Sequence, residues 1–96
     1  MTVAAFDEVI HAPNRLQICS MLAAVDAMEF SVVREALGVS DSVLSKHVKV
    51  LQAAQYASVT KVRRRAWLAL TPTGRKALAG HIAELRRIVK QAEADR

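Results

Sequence analysis

Gly38 constrains this chain more than any other residue, because it stands between two amphipathic segments and leaves room for only a short turn between them. Ser31 to Leu37 reads as one short helix, with Ser31 as N-cap and Gly38 as the glycine just past its end. Two residues later Ser40 offers a new N-cap, and Asp41 to Gln55 reads as the next helix. Two helices joined by so short a glycine-containing turn make residues 31–55 a helix-turn-helix.

The second of these helices carries the clearer pattern. At the helical period, Val48 and Leu51 fall within about 40° of Leu44, and the three form its buried edge. Ser42, Ser45, Lys46 and Lys49 fall between about 100° and 200° from Leu44, one stripe of hydroxyls and ammoniums. No carboxylate interrupts that stripe, whereas a helix patterned only for solubility interleaves Glu with Lys. Residues 41–65 hold six basic side chains against one acid, Asp41, and so carry the whole formal net charge of +5. Charge gathered in this way suits a polyanion, with an ordinary solvated basic face as the alternative.

Thr2 to about Ala12 reads as a first helix with Phe6, Val9 and Ile10 on its apolar side. Pro13 opens a second helix that buries Leu16, Cys19, Leu22 and Ala23, and Asp26 to Phe30 is a connection able to hold an edge strand at Met28 to Phe30. Tyr56 to Val62 and Ala66 to Thr71 read as a β-hairpin, with Arg63, Arg64 and Arg65 at its tip and Trp67 as its anchor in the core. Pro72 ends the second strand, Thr73 can cap, and a long helix runs from about Gly74 to Ala94. Within it Leu78, Ile82, Leu85, Val89 and Ala92 recur at four, three, four and three, a seam that calls for a partner surface.

Composition bounds the remainder. With 52% hydrophobic residues in 96, one domain can bury a core without a metal or a disulfide. The single Cys19 has no cysteine to pair with, no basic segment leads into an apolar run at the N-terminus, and no stretch approaches the roughly 18 apolar residues of a membrane span. A cytoplasmic, single-domain protein over residues 1–96 is expected. No nucleophile and base at plausible spacing, glycine-rich phosphate loop or acid pair is present, so neither catalytic residues nor a cofactor are expected.

The segment GVSDSVLSKHVKVL, Gly38 to Leu51, resembles the recognition-helix region of winged-helix regulators of the ArsR and MarR type. APNRLQICSML resembles the helix preceding it in those proteins, and Trp67 to Arg75 resembles the wing's return strand leading into their dimerisation helix. The likeness covers roughly residues 6 to 90. It departs at Gln55, where such families place a glycine before the wing, and at a wing tip that lacks glycine. The resemblance implies a winged helix-turn-helix, mainly α with a small β-hairpin wing at about 56–71, and extra N- and C-terminal helices for dimerisation, the last at about 74–94.

The implied function is that of a sequence-specific double-stranded DNA-binding transcriptional regulator, a repressor acting as a homodimer. Ser42, Ser45, Lys46 and Lys49 are the candidates for base edges, and the amides from Ser40 to Ser42 for a phosphate. Lys61, Arg63, Arg64 and Arg65 would reach the adjacent backbone or minor groove. His47, at the margin of the buried stripe, is either structural or a phosphate contact. Phe6, Val9, Ile10, Leu78, Ile82, Leu85 and Val89 are the candidate dimer interface. No metal site is expected, although His81 and Glu84 lie one helical turn apart, as ligands do in the last helix of some ArsR-like sensors. Two alternatives keep the same fold: a sensor of an unknown small-molecule effector or metal, and a winged helix that binds an acidic protein.

Overall fold

The structure is a computed structural model that describes residues 2–94. Its elements run α1 (Pro13–Ala23), β1 (Met28–Glu29), α2 (Phe30–Leu37), α3 (Asp41–Ala53), β2 (Ala57–Val62), β3 (Arg65–Leu70) and α4 (Pro72–Ala94). β3 is central in an antiparallel sheet of order β1-β3-β2, with Met28 opposite Leu68 and Val59 opposite that same residue from the other side. The three-helix unit packs on the inner face of this sheet. Ile18, Cys19 and Leu22 of α1, Val33 of α2, and Leu44, Val48 and Leu51 of α3 meet Leu68 and Leu70 of β3 in one core.

The turn between α2 and α3 forms as its residues dictate. Gly38 takes φ +67°, the left-handed conformation that closes α2, and its amide and that of Val39 return to the carbonyls of Glu35 and Arg34. The Ser40 hydroxyl then accepts the Val43 amide at 3.2 Å and caps α3. The N-cap of α2 lies two residues earlier than its sequence implies. It is Glu29, not Ser31, because Glu29 is held extended opposite Trp67 in the sheet and the chain passes from strand to helix without a loop.

α3 ends at Ala53, short of Gln55, which adopts φ +64°. The amide of Gln55 bonds the Gln52 carbonyl and that of Tyr56 bonds the Leu51 carbonyl, each at 2.9 Å, a Schellman closure in which the left-handed residue is ordinarily glycine. A side chain in this conformation strains the backbone by about 1 kcal/mol. Gln55→Gly is therefore expected to stabilise the protein by up to about 0.5 kcal/mol after allowing for glycine's unfolded-state freedom, a rise of about 2–4 °C in Tm at most. Thermal denaturation checks this, and a lower Tm would show that the Gln55 side chain is itself used.

The N-terminal helix expected over Thr2 to Ala12 does not form. Residues 2–7 are a strap without regular secondary structure, followed by a turn. Two causes act together. Ala12 precedes Pro13 and is held at ψ 138°, which breaks any helix leading into α1. The amides of Ala5 and Asp7 are bonded to the Gly80 carbonyl and to His81 Nδ1 on α4, so they are not available to a helix of their own. Ile10 is consequently a core residue with no exposure, and Leu78 joins it at 4%; both are withdrawn from the candidate dimer surface. In α1 the buried set is Ile18, Cys19 and Leu22, while Ala23 is exposed. Burial pushes the Cys19 thiol up to about 11, with the Asp7 carboxylate adding, so it stays an unreactive core thiol at neutral pH.

α4 begins at Pro72 and not at Gly74. Thr71 is its cap, its hydroxyl accepting the Gly74 amide at 2.9 Å, and Pro72 occupies the first turn where its missing amide is no loss. The Arg75 guanidinium crosses to the carbonyls of Ala23 and Val25, closing the end of α1. Among the described residues, no buried side-chain polar atom lacks a hydrogen-bond partner. No helix there is long and apolar enough to cross a membrane.

Candidate nucleic-acid interface

The candidate surface is built on α3 and the β2–β3 hairpin. With Leu44, Val48 and Leu51 buried, Ser42, Lys46 and Lys49 are exposed on α3 and Ser45 is half-buried beside them. Ser45 and Lys49 share one groove with Lys61, a cleft of about 370 Å³ between α3 and the hairpin, floored by Phe30, Val48 and Leu68. Gln52 also lines it. Sequence reasoning passed over Gln52, although at about 80° from Leu44 it borders the outward stripe.

At the start of α3 the Ser40 and Ser42 hydroxyls lie 3.2 Å apart, beside the amides of the helix's first turn, of which that of Val43 is bonded to Ser40. Asp41 would repel a phosphate there, but Arg34 of α2 holds its carboxylate at 2.8 Å. Both partners are partly or largely exposed, so the pair adds little stability; its effect is to offset a negative charge at the helix N-terminus.

His47 turns away from the stripe. Its ring nitrogens face Asn14 at 3.4 Å and Arg15 at 3.3 Å, both on α1. Burial pushes this imidazole below its ordinary value and the Arg15 guanidinium adds to the effect, so His47 is neutral at pH 7 and links α3 to α1.

The wing is narrower than its sequence implies. Val62 pairs with Arg65, leaving a two-residue turn of Arg63 and Arg64, with Arg63 at φ +58° in a place that usually holds glycine. Arg65 is thus a strand residue and not part of the tip, and its guanidinium lies 3.8 Å from Glu29. Trp67 is not the anchor of the core. Leu68 and Leu70 point inward, and the two-residue alternation sends Trp67 to the other face, half-buried, where it lines a hollow with Val62, Arg63, Arg64 and Arg65.

Among the described residues, Lys46, Lys49, Lys61, Arg63 and Arg64 form no ion pair with an acid of the protein. Five cations therefore flank the groove and the hairpin tip without internal partners, while Asp41 and Glu29 are each engaged by an arginine. The described residues contain no group of three or more His, Cys, Asp or Glu able to hold a metal. Glu84, the sequence partner of His81, is bonded instead to Arg87 at 2.7 Å.

A core-backed helix whose outer face is cationic, following a glycine turn and flanked by a cation-tipped hairpin, defines the class: a helix-turn-helix protein with a wing. The chain belongs to the family described as winged helix DNA-binding domain, whose profile matches residues 14–89. No curated protein sequence matches it. Among solved structures it is similar to the transcriptional regulator homologue from Pyrococcus horikoshii OT3, at 21% identity and TM-score 0.86, covering 90% of this chain and 89% of that one. It is also similar to HlyU from Vibrio cholerae N16961, at 24% identity and TM-score 0.70 over 81% and 84% of the two chains. The PcaV transcriptional regulator from Streptomyces coelicolor, solved with its natural ligand, aligns at 19% identity and TM-score 0.78 over 95% and 66%.

Proposed function

We propose that the protein is a cytoplasmic, sequence-specific regulator of transcription that binds double-stranded DNA as a homodimer and has no catalytic activity. The observation that carries this reading is the set of unpartnered cations, Lys46, Lys49, Lys61, Arg63 and Arg64, spread over α3 and the wing. α3 enters the major groove, where Ser42, Ser45, Lys46 and Lys49 read base edges, and the arginines of the turn grip the flanking backbone or minor groove. Ser40 holds the first turn of the helix for a phosphate contact. Repression is the simplest outcome, since a short dimer lying across a promoter excludes polymerase without further parts.

Two copies are needed because one recognition helix spans only a few base pairs, whereas paired half-sites about 34 Å apart multiply affinity and selectivity. Ile88 at 40% and Val89 at 54% exposed, with half-buried Ile82 and Leu85, form an apolar face on the outer half of α4 that supports this assembly. Phe6 of the strap, 46% exposed, and half-buried Val9 of the turn after it remain candidates for the same interface. Leu85→Asp is expected to convert the protein to a monomer in sedimentation velocity, and an unchanged dimer removes this seam from consideration.

Selection of bound fragments from random duplex DNA, followed by anisotropy across a salt series, tests the whole reading. The expected slope of log K against log salt is roughly −4 to −5 per protomer. Absence of any sequence preference at physiological salt would instead favour a winged helix that binds an acidic protein.

A further inference from the structure

Among the described residues the one buried polar side chain is His81, which the DNA-facing surface does not use. It lies on α4 with no exposure, beneath the N-terminal strap. Its Nδ1 accepts the backbone N–H of Asp7 at 2.9 Å. A backbone amide can only donate, so Nδ1 carries no proton, and the proton of the neutral ring is fixed on Nε2. Nε2 faces Nδ1 of His11 at 3.0 Å and donates to it. The Phe6 ring covers both imidazoles, its centroid 4.6 Å from that of His11 and 4.8 Å from that of His81.

The groups around this ring give it a definite response to acid. From the strap and the turn after it, the Asp7 carboxylate and His11 face it. The Asp7 carboxylate is itself occupied, accepting the Ile10 amide at one oxygen and the Tyr56 hydroxyl at the other. Cys19 of α1 and Tyr56 ahead of β2 lie near Asp7, and Arg15 of α1 lies near Cys19. Burial chiefly, and then His11, disfavour the imidazolium, against the opposing pull of Asp7, so His81 sits below its ordinary 6.5. With the folded-state value depressed, its contribution to stability is complete above about pH 6.5 and is lost as pH falls through the folded value.

We propose that the Asp7–His81–His11 chain is an acid-released latch that fastens the N-terminal strap to α4. A proton from solvent lands on His81 Nδ1, since Nε2 already bears one, and sets two N–H donors against each other. The Asp7 N–H···Nδ1 hydrogen bond breaks, and the strap lifts from α4 together with Phe6. The remaining backbone tie is a single hydrogen bond, from the Ala5 amide to the Gly80 carbonyl at 3.0 Å, and does not hold six residues by itself. Release uncovers the Ala77 and Gly80 side of α4, now roofed by Val3, Ala5 and Phe6. The latch is independent of any DNA contact, so it stands or falls apart from the regulator reading.

Hydrogen exchange on the full chain tests it, with rates corrected for their intrinsic pH dependence and compared at about pH 7.5 and about pH 5. Protection of the Ala5 and Asp7 amides is expected to fall at least about tenfold at the lower pH while the amides of α3 hold theirs. His81→Asn keeps an acceptor near the place of Nδ1 but cannot be protonated, and its strap is expected to stay protected at both pH values. Gly80→Ala should open the strap at both, because a Cβ there would lie 2.9 Å from the Val3 carbonyl oxygen. Equal protection of the wild-type strap at the two pH values, or an acid response surviving in His81→Asn, overturns the latch. Imidazole ¹⁵N shifts of the wild type need no variant to fold: a proton on Nδ1 of His81 at neutral pH is equally fatal to it.

Discussion

Gly74→Ala is expected to lose about 3 kcal/mol of stability, which for a domain of this size lowers Tm by more than 10 °C. A Cβ at Gly74 would sit 2.1 Å from the Tyr56 carbonyl oxygen and 2.8 Å from its carbon, and both are backbone atoms with nowhere to retreat. That carbonyl already accepts the Thr71 amide at 3.0 Å, and the Thr71 hydroxyl bonds the Gln55 carbonyl at 2.6 Å while capping α4. The methyl group therefore strikes a junction where the end of α3, the close of the hairpin and the first turn of α4 share one set of hydrogen bonds. Circular dichroism melting measures the effect. A Tm within about 2 °C of wild type would mean that α4 leaves the sheet along another path.

Neutralising the wing should do the most damage to DNA binding. In Lys61→Ala/Arg63→Ala/Arg64→Ala, the slope of log K against log salt is expected to become shallower by two to three units, at about 0.9 per phosphate released. At physiological salt this corresponds to about a hundredfold loss, shared almost evenly between specific and non-specific DNA, because phosphate contacts carry no sequence information. Folding should be little affected, since all three side chains are exposed and form no ion pair among the described residues. Anisotropy on a selected site and on random duplex, each over a salt series, separates the outcomes. A loss confined to the selected site would move base reading from α3 to the wing.

What the sequence disclosed depended on how local each determinant is. The helix-turn-helix was legible because Gly38, Ser40 and the spacing of Leu44, Val48 and Leu51 act within a few residues of themselves. The basic stripe was legible for the same reason, and the family match now supplies the DNA-binding class. The N-terminal strap was not. Phe6, Val9 and Ile10 are spaced like a helix face, but the amide of Asp7 finds its partner 74 residues away, at His81. Only Pro13, which bars Ala12 from the helical region, hinted at the break. The hairpin turn and the close of α3 were hidden for a different reason: Arg63 and Gln55 take backbone conformations that glycine signals, and neither is glycine.

The bonds among Gln55, Tyr56, Thr71 and Gly74 have a mechanical consequence. They clamp the tail of α3 to the head of α4, so neither helix can swivel without carrying the other. In a pair of chains joined along their final helices, a change in the crossing angle at that joint would swing both reading heads like the jaws of calipers. The distance between the two DNA sites being gauged would then be set far from the DNA, by whatever alters the pivot.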